Sequence, residues 1–191
     1  MNENELIALL KQGDGKAFDY LVTNHQVRIY NACLGVLRDP ADAEDIAQEV
    51  FVEVYRSING FKGEAKLTTW MYRIAMTKSL DLLRSRKRKK RFAFVKSLYS
   101  KDSDSPRIDP PDFVHPGVQL ENKEMAGYLF KAIDELPENQ KVAFTLNKIE
   151  GLSYQEISEV METTVSSVES LLFRAKQNLK DLLSEYYKSN F

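Results

Sequence analysis

The sequence predicts an all-α protein of two small helical domains joined by a flexible linker, the C-terminal one a helix-turn-helix. Three observations carry that expectation. Apolar residues recur every three or four positions through most of the chain, the spacing of one buried helix face. Four of the six prolines crowd into residues 101–116. There Ser103-Asp104-Ser105-Pro106 and Asp109-Pro110-Pro111-Asp112 give a composition too polar to bury surface of its own. Beyond the prolines, a capped short helix precedes a longer one. The expected bounds are 1–96 for the first domain, 97–117 for the linker and 118–191 for the second domain.

Leu6, Ile7, Leu9 and Leu10 suit a short helix that ends near Gly13. Asp14 then caps a second helix, with Phe18, Leu21, Val22, Ile29, Cys33 and Val36 on its inner face. Asp39 is a good N-cap for a third, and Pro40 fits its first position. In that helix Ala43, Ile46, Ala47, Val50, Phe51 and Val54 form one apolar stripe. Asp45, Glu49, Val52 and Arg56 lie opposite, flanked by Gln48 and Tyr55. Acids near a helix start favour its dipole, so a solvated face is one reading. Val52 and Tyr55 beside those acids suggest the other, a docking patch for a protein.

Residues 57–67 form a loop whose turns are set by Gly60 and Gly63. The fourth helix opens Thr68-Thr69-Trp70-Met71-Tyr72-Arg73. Met71, Ile74, Ala75 and Leu82 line one side; Tyr72, Met76, Leu80 and Leu83 line the other. A helix apolar on two sides sits centrally in a bundle. Lys78 falls on the first stripe, where only snorkelling of its stem accounts for it. Trp70 and Tyr72 read as core residues or, alternatively, as a stacking surface for unpaired bases beside basic residues. The helix closes in residues 84–91, of which seven of eight are basic. Such a run suits phosphate or solvent, and its self-repulsion excludes a core role.

In the second domain Met125, Leu129, Ala132, Ile133 and Leu136 give one helix. Pro137 opens another, carrying Val142, Phe144, Leu146 and Ile149 and ending by Gly151. Ser153 and Glu156 then form a capping box, with Leu152 and Ile157 as its hydrophobic staple. That short helix ends near Met161. Thr164 caps the last, whose inward stripe is Val168, Leu172, Ala175, Leu179 and Leu182. The pair makes a helix-turn-helix, a unit whose second helix enters the major groove. Its outward face carries Ser166, Ser170, Phe173, Arg174 and Gln177, with Ser167 and Glu169 at the sides. Small hydroxyl residues permit close approach to a duplex. Glu169 can accept from a cytosine amino group, and Arg174 and Lys176 suit phosphates. A helical hairpin in a protein–protein module is the bland alternative. Residues 165–188 hold four bases and three acids, so affinity for duplex on their own should be low.

A net charge of −1 argues by itself against a protein that merely coats DNA. The distribution is more telling. Residues 42–57 carry five acids and one base, whereas 60–91 carry eleven bases and two acids. That local excess is the footprint of a polyanion partner beside a surface suited to a protein. Cys33 is the single cysteine, which excludes an intrachain disulfide and suits a small buried hydrophobe. His25 and His115 stand in unrelated contexts, so neither metal nor cofactor is expected. No apolar run approaches the ~20 residues of a membrane span. The acidic start, Met1-Asn2-Glu3-Asn4-Glu5, is unlike a secretory signal, and a soluble cytoplasmic protein is expected.

The same residues resemble an RNA polymerase sigma factor of the extracytoplasmic-function (ECF) group. Asp42-Ala43-Glu44-Asp45-Ile46-Ala47-Gln48-Glu49-Val50-Phe51 is similar to the segment that binds the clamp helices of the polymerase's largest subunit. Phe61-Lys62-Gly63-Glu64 through Trp70-Met71-Tyr72-Arg73-Ile74-Ala75 is similar to the segment that reads the promoter −10 element. Leu136-Pro137-Glu138-Asn139-Gln140, Leu152-Ser153-Tyr154-Gln155-Glu156-Ile157 and Leu172-Phe173-Arg174-Ala175-Lys176 resemble the domain that reads the −35 element.

The resemblance implies a promoter-specificity subunit with no catalytic chemistry. Core RNA polymerase would dock on Asp45, Gln48, Glu49 and Val52. The loop with Lys62, Gly63, Thr68, Thr69 and Trp70 would hold a base extruded from the −10 element. Arg73, Lys78, Arg84 and Arg86 would hold phosphates there. Ser166, Ser167, Glu169, Ser170, Phe173, Arg174 and Lys176 would meet the −35 duplex. An anti-sigma factor would mask the docking faces, leaving a monomer when free or a 1:1 complex. Three departures stand out: Glu162 where the turn often has Gly, Leu171 where a base is frequent, and a basic run from Arg84 to Arg91 that is long even for this group. The rivals are a stand-alone helix-turn-helix repressor and a DNA recombinase. The recombinase lacks support, since Ser57, Ser79 and Ser85 sit in no recognisable constellation.

Overall fold

The computed structural model describes residues 1–99 and 123–190, with side chains described for 1–93 and 127–184. Among these residues every regular element is helical. The helices are α1 (Glu3–Lys11), α2 (Gly15–Leu37), α3 (Pro40–Ser57), α4 (Leu67–Tyr99), α5 (Lys123–Glu135), α6 (Glu138–Lys148), α7 (Tyr154–Val160) and α8 (Val165–Asn190). A 3-10 turn, Ile58–Gly60, follows α3.

The helix starts are written in the capping residues. Asp14 accepts from the Ala17 amide and Asp39 from the Asp42 amide. Each satisfies a donor that a helix start leaves orphaned. Pro40 begins α3 as expected. α2 ends with Arg38 in the left-handed region, at φ 61°. Ser153 and Glu156 make the reciprocal capping box of α7, and Thr164 accepts from the Ser167 amide at the start of α8.

α2 packs on α3 and α4, and α3 on α4. The stripe of α3 is buried at every expected position, Ala43, Ile46, Ala47, Val50, Phe51 and Val54. Met71, Tyr72, Ala75 and Met76 of α4 are buried as well, as a central helix requires. Cys33 is wholly enclosed, and burial pushes its thiol up to about 12, which makes it inert. In the C-terminal helices Val168 and Leu172 of α8 close over α6 and α7. Ala175 and Leu179 close over Phe130, Ile133 and Leu136 of α5 and its end.

Two separate cores would follow from two independent domains. Instead one buried cluster runs across both halves and includes Leu34, Val36 and Tyr72 together with Val142, Leu146, Ile157 and Leu172. Gly35 lies at a tight contact between α2 and α6. A Cβ there would lie 2.5 Å from Thr145 Cγ2 and 3.0 Å from Ile149 Cδ1, so a larger residue would oblige the α6 side chains to shift. Buried Thr145 donates its hydroxyl to the Gly35 carbonyl at 3.4 Å.

One local expectation changes. α4 continues to Tyr99, past the basic run 84–91 in which it was expected to close, because Lys and Arg are good helix formers and the helix can run through them without an apolar stripe. Gly60 ends the 3-10 turn and Gly63 sits at φ 75°, as expected of glycines that set the turns of this loop. The linker residues 100–117 and the start of the second domain at 118–122 lie outside the described residues.

Candidate protein and nucleic-acid interfaces

Three surfaces carry the residues that the sequence singled out. On α3, Asp45, Gln48 and Glu49 are exposed, and Val52 and Tyr55 are exposed apolar neighbours. Phe18 of α2 props the Tyr55 ring edge-on, with centroids 5.4 Å apart. Beside this face runs a groove of about 760 Å³ between α2 and α3, lined by Val22, Val27, Tyr30, Ala47, Gln48 and Phe51. Val27 is 64% exposed and was not singled out, because it lies off the apolar stripe of α2. Lys78 finds the partner that periodicity could not supply: its ammonium lies 3.0 Å from the Glu49 carboxylate.

The second surface joins the loop after α3 to α4. Phe61 stacks on Trp70 at 5.0 Å and 30°, which fixes the loop against the helix. Lys62 and Gly63 are exposed, Thr68 and Trp70 half-buried. Thr69 departs from expectation. It is 4% exposed and faces the core, so its side chain is not offered to a partner. Arg73 donates to the Glu159 carbonyl at 2.7 Å and pairs with the Glu162 carboxylate at 2.8 Å. Between this loop and α7 lies a cavity of about 830 Å³, lined by Phe61, Lys62, Trp70 and Arg73 on one side and Glu159 and Glu162 on the other.

Farther along α4 the basic run is exposed. Arg86 pairs with Asp42 of α3. Arg84 and Lys87 both reach Glu138, at 3.0 and 3.1 Å. Burial would raise the Glu138 carboxyl, but the Lys87 and Arg84 hydrogen bonds outweigh it and hold the group below the usual carboxylate range. Glu156 is also held low, by the backbone and side-chain hydrogen bonds of Ser153 and then by Lys66 at 3.5 Å. Glu150 behaves oppositely. Its side chain is 4% exposed, and burial raises its carboxyl above the ordinary value. The Tyr72 hydroxyl donates to it at 2.7 Å, and Arg28 approaches at 3.6 Å. The Tyr72 phenol is pushed up by burial and by that neighbouring carboxylate.

The third surface is the outer face of α8. Ser166, Glu169, Ser170, Arg174 and Lys176 are exposed, Ser167 is half-buried, and Phe173 is 70% exposed. Arg174 donates back to the Ser170 carbonyl at 3.2 Å, which holds its guanidinium along the ridge. Glu169, Ser170, Phe173 and Arg174 line a shallow depression of about 450 Å³. Glu162 adopts φ 51° in the turn, so the left-handed geometry survives without glycine. Leu171 packs against the core, which accounts for an apolar residue there. The carboxylates of Glu138, Glu150, Glu156 and Glu162 opposite α2 and α4 were not foreseen, since no local pattern signals pairing across so much chain.

Among the described residues no group of His, Cys, Asp and Glu side chains is placed to hold a metal ion. No described helix is long and apolar enough to cross a membrane.

Among the described residues the fold is helical, with a capped helix-turn-helix, a neighbouring cationic helix and a separate acidic face, the layout of a helix-turn-helix class of protein. Comparison with known proteins then fixes the family. The Sigma-70 region 2 family matches residues 21–89, and the Sigma-70, region 4 family matches residues 126–179. The RNA polymerase sigma-H factor of Pseudomonas aeruginosa is 32% identical over 183 residues, covering 95% of this chain and 93% of that protein. The ECF RNA polymerase sigma-E factor of Haemophilus influenzae is 32% identical over 186 residues, with 95% of each chain covered. The fold is that of CnrH in complex with the cytosolic domain of CnrY, with a TM-score of 0.68, 22% identity, and 96% and 97% of the two chains covered. The sigma factor RpoE in complex with the anti-sigma factor NepR from Bartonella quintana gives a TM-score of 0.65 at 18% identity, with 88% of this chain and 98% of that one covered. The chain belongs to the extracytoplasmic-function RNA polymerase sigma factors and is a promoter-recognition subunit.

Proposed function

We propose that core RNA polymerase docks on the α3 face through Asp45, Gln48, Glu49 and Val52, and that the two other surfaces then read the promoter. The loop from Lys62 to Trp70 takes the −10 element, and Arg73, Lys78, Arg84 and Arg86 hold its backbone. The outer face of α8, from Ser166 to Lys176, takes the −35 duplex. Thr69 serves this reading from beneath, as packing for the loop. The observation that carries the proposal is the ridge on α8, where Ser166, Ser170, Phe173 and Arg174 stand clear of the core at helical spacing.

The working units are 1–96 and 118–191, with 97–117 as the linker between them. An anti-sigma factor covers the α3 face, in a 1:1 complex, and the protein acts in the cytoplasm, a monomer when free. Solved relatives of the same fold were captured with partners, and one of those partners is named an anti-sigma factor. Neither reading unit binds strongly alone. Polymerase makes their weak contacts effective by fixing their spacing, an effective-concentration effect.

Reconstitution tests the proposal. Purified core polymerase plus this chain starts transcription at a specific promoter, while the chain alone binds that duplex poorly. Tight, dimeric binding of the duplex without polymerase would favour a stand-alone repressor instead.

A further inference from the structure

α1 lies outside residues 21–89 that the region 2 family matches, and none of the three surfaces above uses it. Its apolar face explains where it sits. Leu6 and Leu10 are buried in the same core as Ile58, Phe61 and Leu67, so α1 packs on α2 and on the 3-10 turn that leads into the −10 loop. From that seat it reaches both ends of the loop. At the first end the Lys11 ammonium donates to the Phe61 carbonyl at 2.9 Å. At the other the Leu67 amide donates to the Glu3 carboxylate at 3.3 Å. Leu67 opens α4, and its amide is one of the donors that a helix start leaves without a partner inside the helix. Lys66, just before it, has no side-chain acceptor and cannot supply the usual cap. A carboxylate 64 residues away in the chain does so instead, and its charge suits the positive end of the α4 dipole.

We infer that α1 is a strut for the −10 loop, and that Glu3 and Lys11 are positioning residues that set how the loop meets an opened strand. The inference rests on the −10 assignment above. Glu3 and Lys11 stand eight residues apart, about 12 Å along a helix. The chain from Phe61 to Leu67 could stretch to about 20 Å. Held to anchors at the shorter spacing, it leaves Lys62, Gly63, Glu64 and Lys66 exposed between two buried ends, with Gly63 turning it at φ 75°. The Lys11 anchor falls on the residue whose ring stacks on Trp70 at 5.0 Å. The Glu3 anchor falls on the first turn of the helix that carries Trp70 and Arg73. The rings that would receive a base and the guanidinium that would receive its phosphate are thus referenced to one rigid helix. Each anchoring bond has one charged partner, the stronger kind of hydrogen bond.

The test uses holoenzyme assembled from core polymerase and the full chain. Fluorescence polarisation reads its affinity for two probes from a promoter that it transcribes: the single non-template strand of the −10 element, and the −35 duplex. Lys11→Met and Glu3→Ala are each expected to weaken −10 strand binding about three- to tenfold. Lys11→Arg still donates and Glu3→Gln still accepts, so both should stay within about twofold of the parent. Affinity for core polymerase and for the −35 duplex should not move, since neither side chain reaches α3 or α8. Circular dichroism confirms folding, and the two ends of the loop are tested by separate variants, so either decides the matter if the other does not fold. Strand affinity within about twofold of the parent in both Lys11→Met and Glu3→Ala overturns the inference. Equal losses on both probes also overturn it, because a merely structural role gives that result. So does a loss that Lys11→Arg and Glu3→Gln share. Parent holoenzyme that holds the −10 strand no better than a scrambled strand of the same composition removes the −10 assignment itself. A parent that discriminates, beside variants that match it, removes the role of α1 alone.

Discussion

The outer face of α8 and the cationic face of α4 are both candidate DNA surfaces, and the free chain treats them differently. On α8 the ridge around Phe173 stands open, with Arg174 donating back to the Ser170 carbonyl of its own helix. On α4, Arg84 and Lys87 meet Glu138 of α6 and Arg73 meets Glu162 in the turn after α7, while Lys78 and Arg86 meet Glu49 and Asp42 of α3. The open face carries few charges and needs help to bind. The α4 face carries many, of which Arg73, Arg84 and Lys87 already meet carboxylates of the C-terminal helices and their turn while the end of the basic run is exposed. The difference teaches that the more charged face is the one the chain's own carboxylates already occupy in part.

The largest expected effect comes from breaking the core that the two faces share. Leu172→Ala removes a side chain 1% exposed beneath the α8 ridge and should cost about 2–5 kcal/mol in urea unfolding. Because the buried cluster is continuous, the N-terminal helices should unfold in the same transition. A C-terminal unit that melts alone would break the comparison at its base. Next in size is the double variant Asp45→Lys, Glu49→Lys. Like charges placed at an interface cost several kcal/mol, so polymerase affinity should fall by about a hundredfold or more with the fold intact. Normal affinity, measured by titration of labelled chain, would refute the docking assignment.

Arg174→Ala sharpens the contrast between the faces. It should weaken −35 duplex binding by the holoenzyme about tenfold and reduce the salt slope by roughly one, while single-strand binding by the free chain stays put. The smallest effect is with acid. A carboxyl raised on folding is penalised while ionised, and that penalty lifts as the pH falls through the range just above its ordinary value. Glu150 therefore makes the folded chain slightly more stable as the pH drops from neutrality. Glu138 and Glu156 are depressed, so their contribution holds above the ordinary carboxylate value and is lost as the pH falls below it. Glu150→Gln should keep the Tyr72 hydrogen bond and flatten only the first of these trends, by under about 1 kcal/mol. Parallel stability curves for parent and variant would contradict this account of Glu150.

Local chemistry was legible from the residues, and long-range chemistry was not. The caps at Asp14, Asp39 and Ser153, the whole stripe of α3 and the α7–α8 pair follow from rules that span only a few residues. The approach of Gly35 to Thr145 joins positions with no shared pattern, so the continuous core stayed hidden. Lys78 looked like a misfit on an apolar stripe until Glu49 of the neighbouring helix supplied its counter-charge. Thr69 was placed on the surface by its neighbours in a motif, yet its position on the first turn of α4 turns it inward. The basic run gave no sign that α4 persists to Tyr99, since an exposed helix needs propensity and no stripe.

The central claim is that this chain reads two promoter elements only on behalf of polymerase. Footprinting a responsive promoter tests it directly. Core polymerase with the chain should protect both the −10 and −35 elements, and either component alone should protect neither. Protection of both elements by the free chain, or of neither by the two together, would contradict the account.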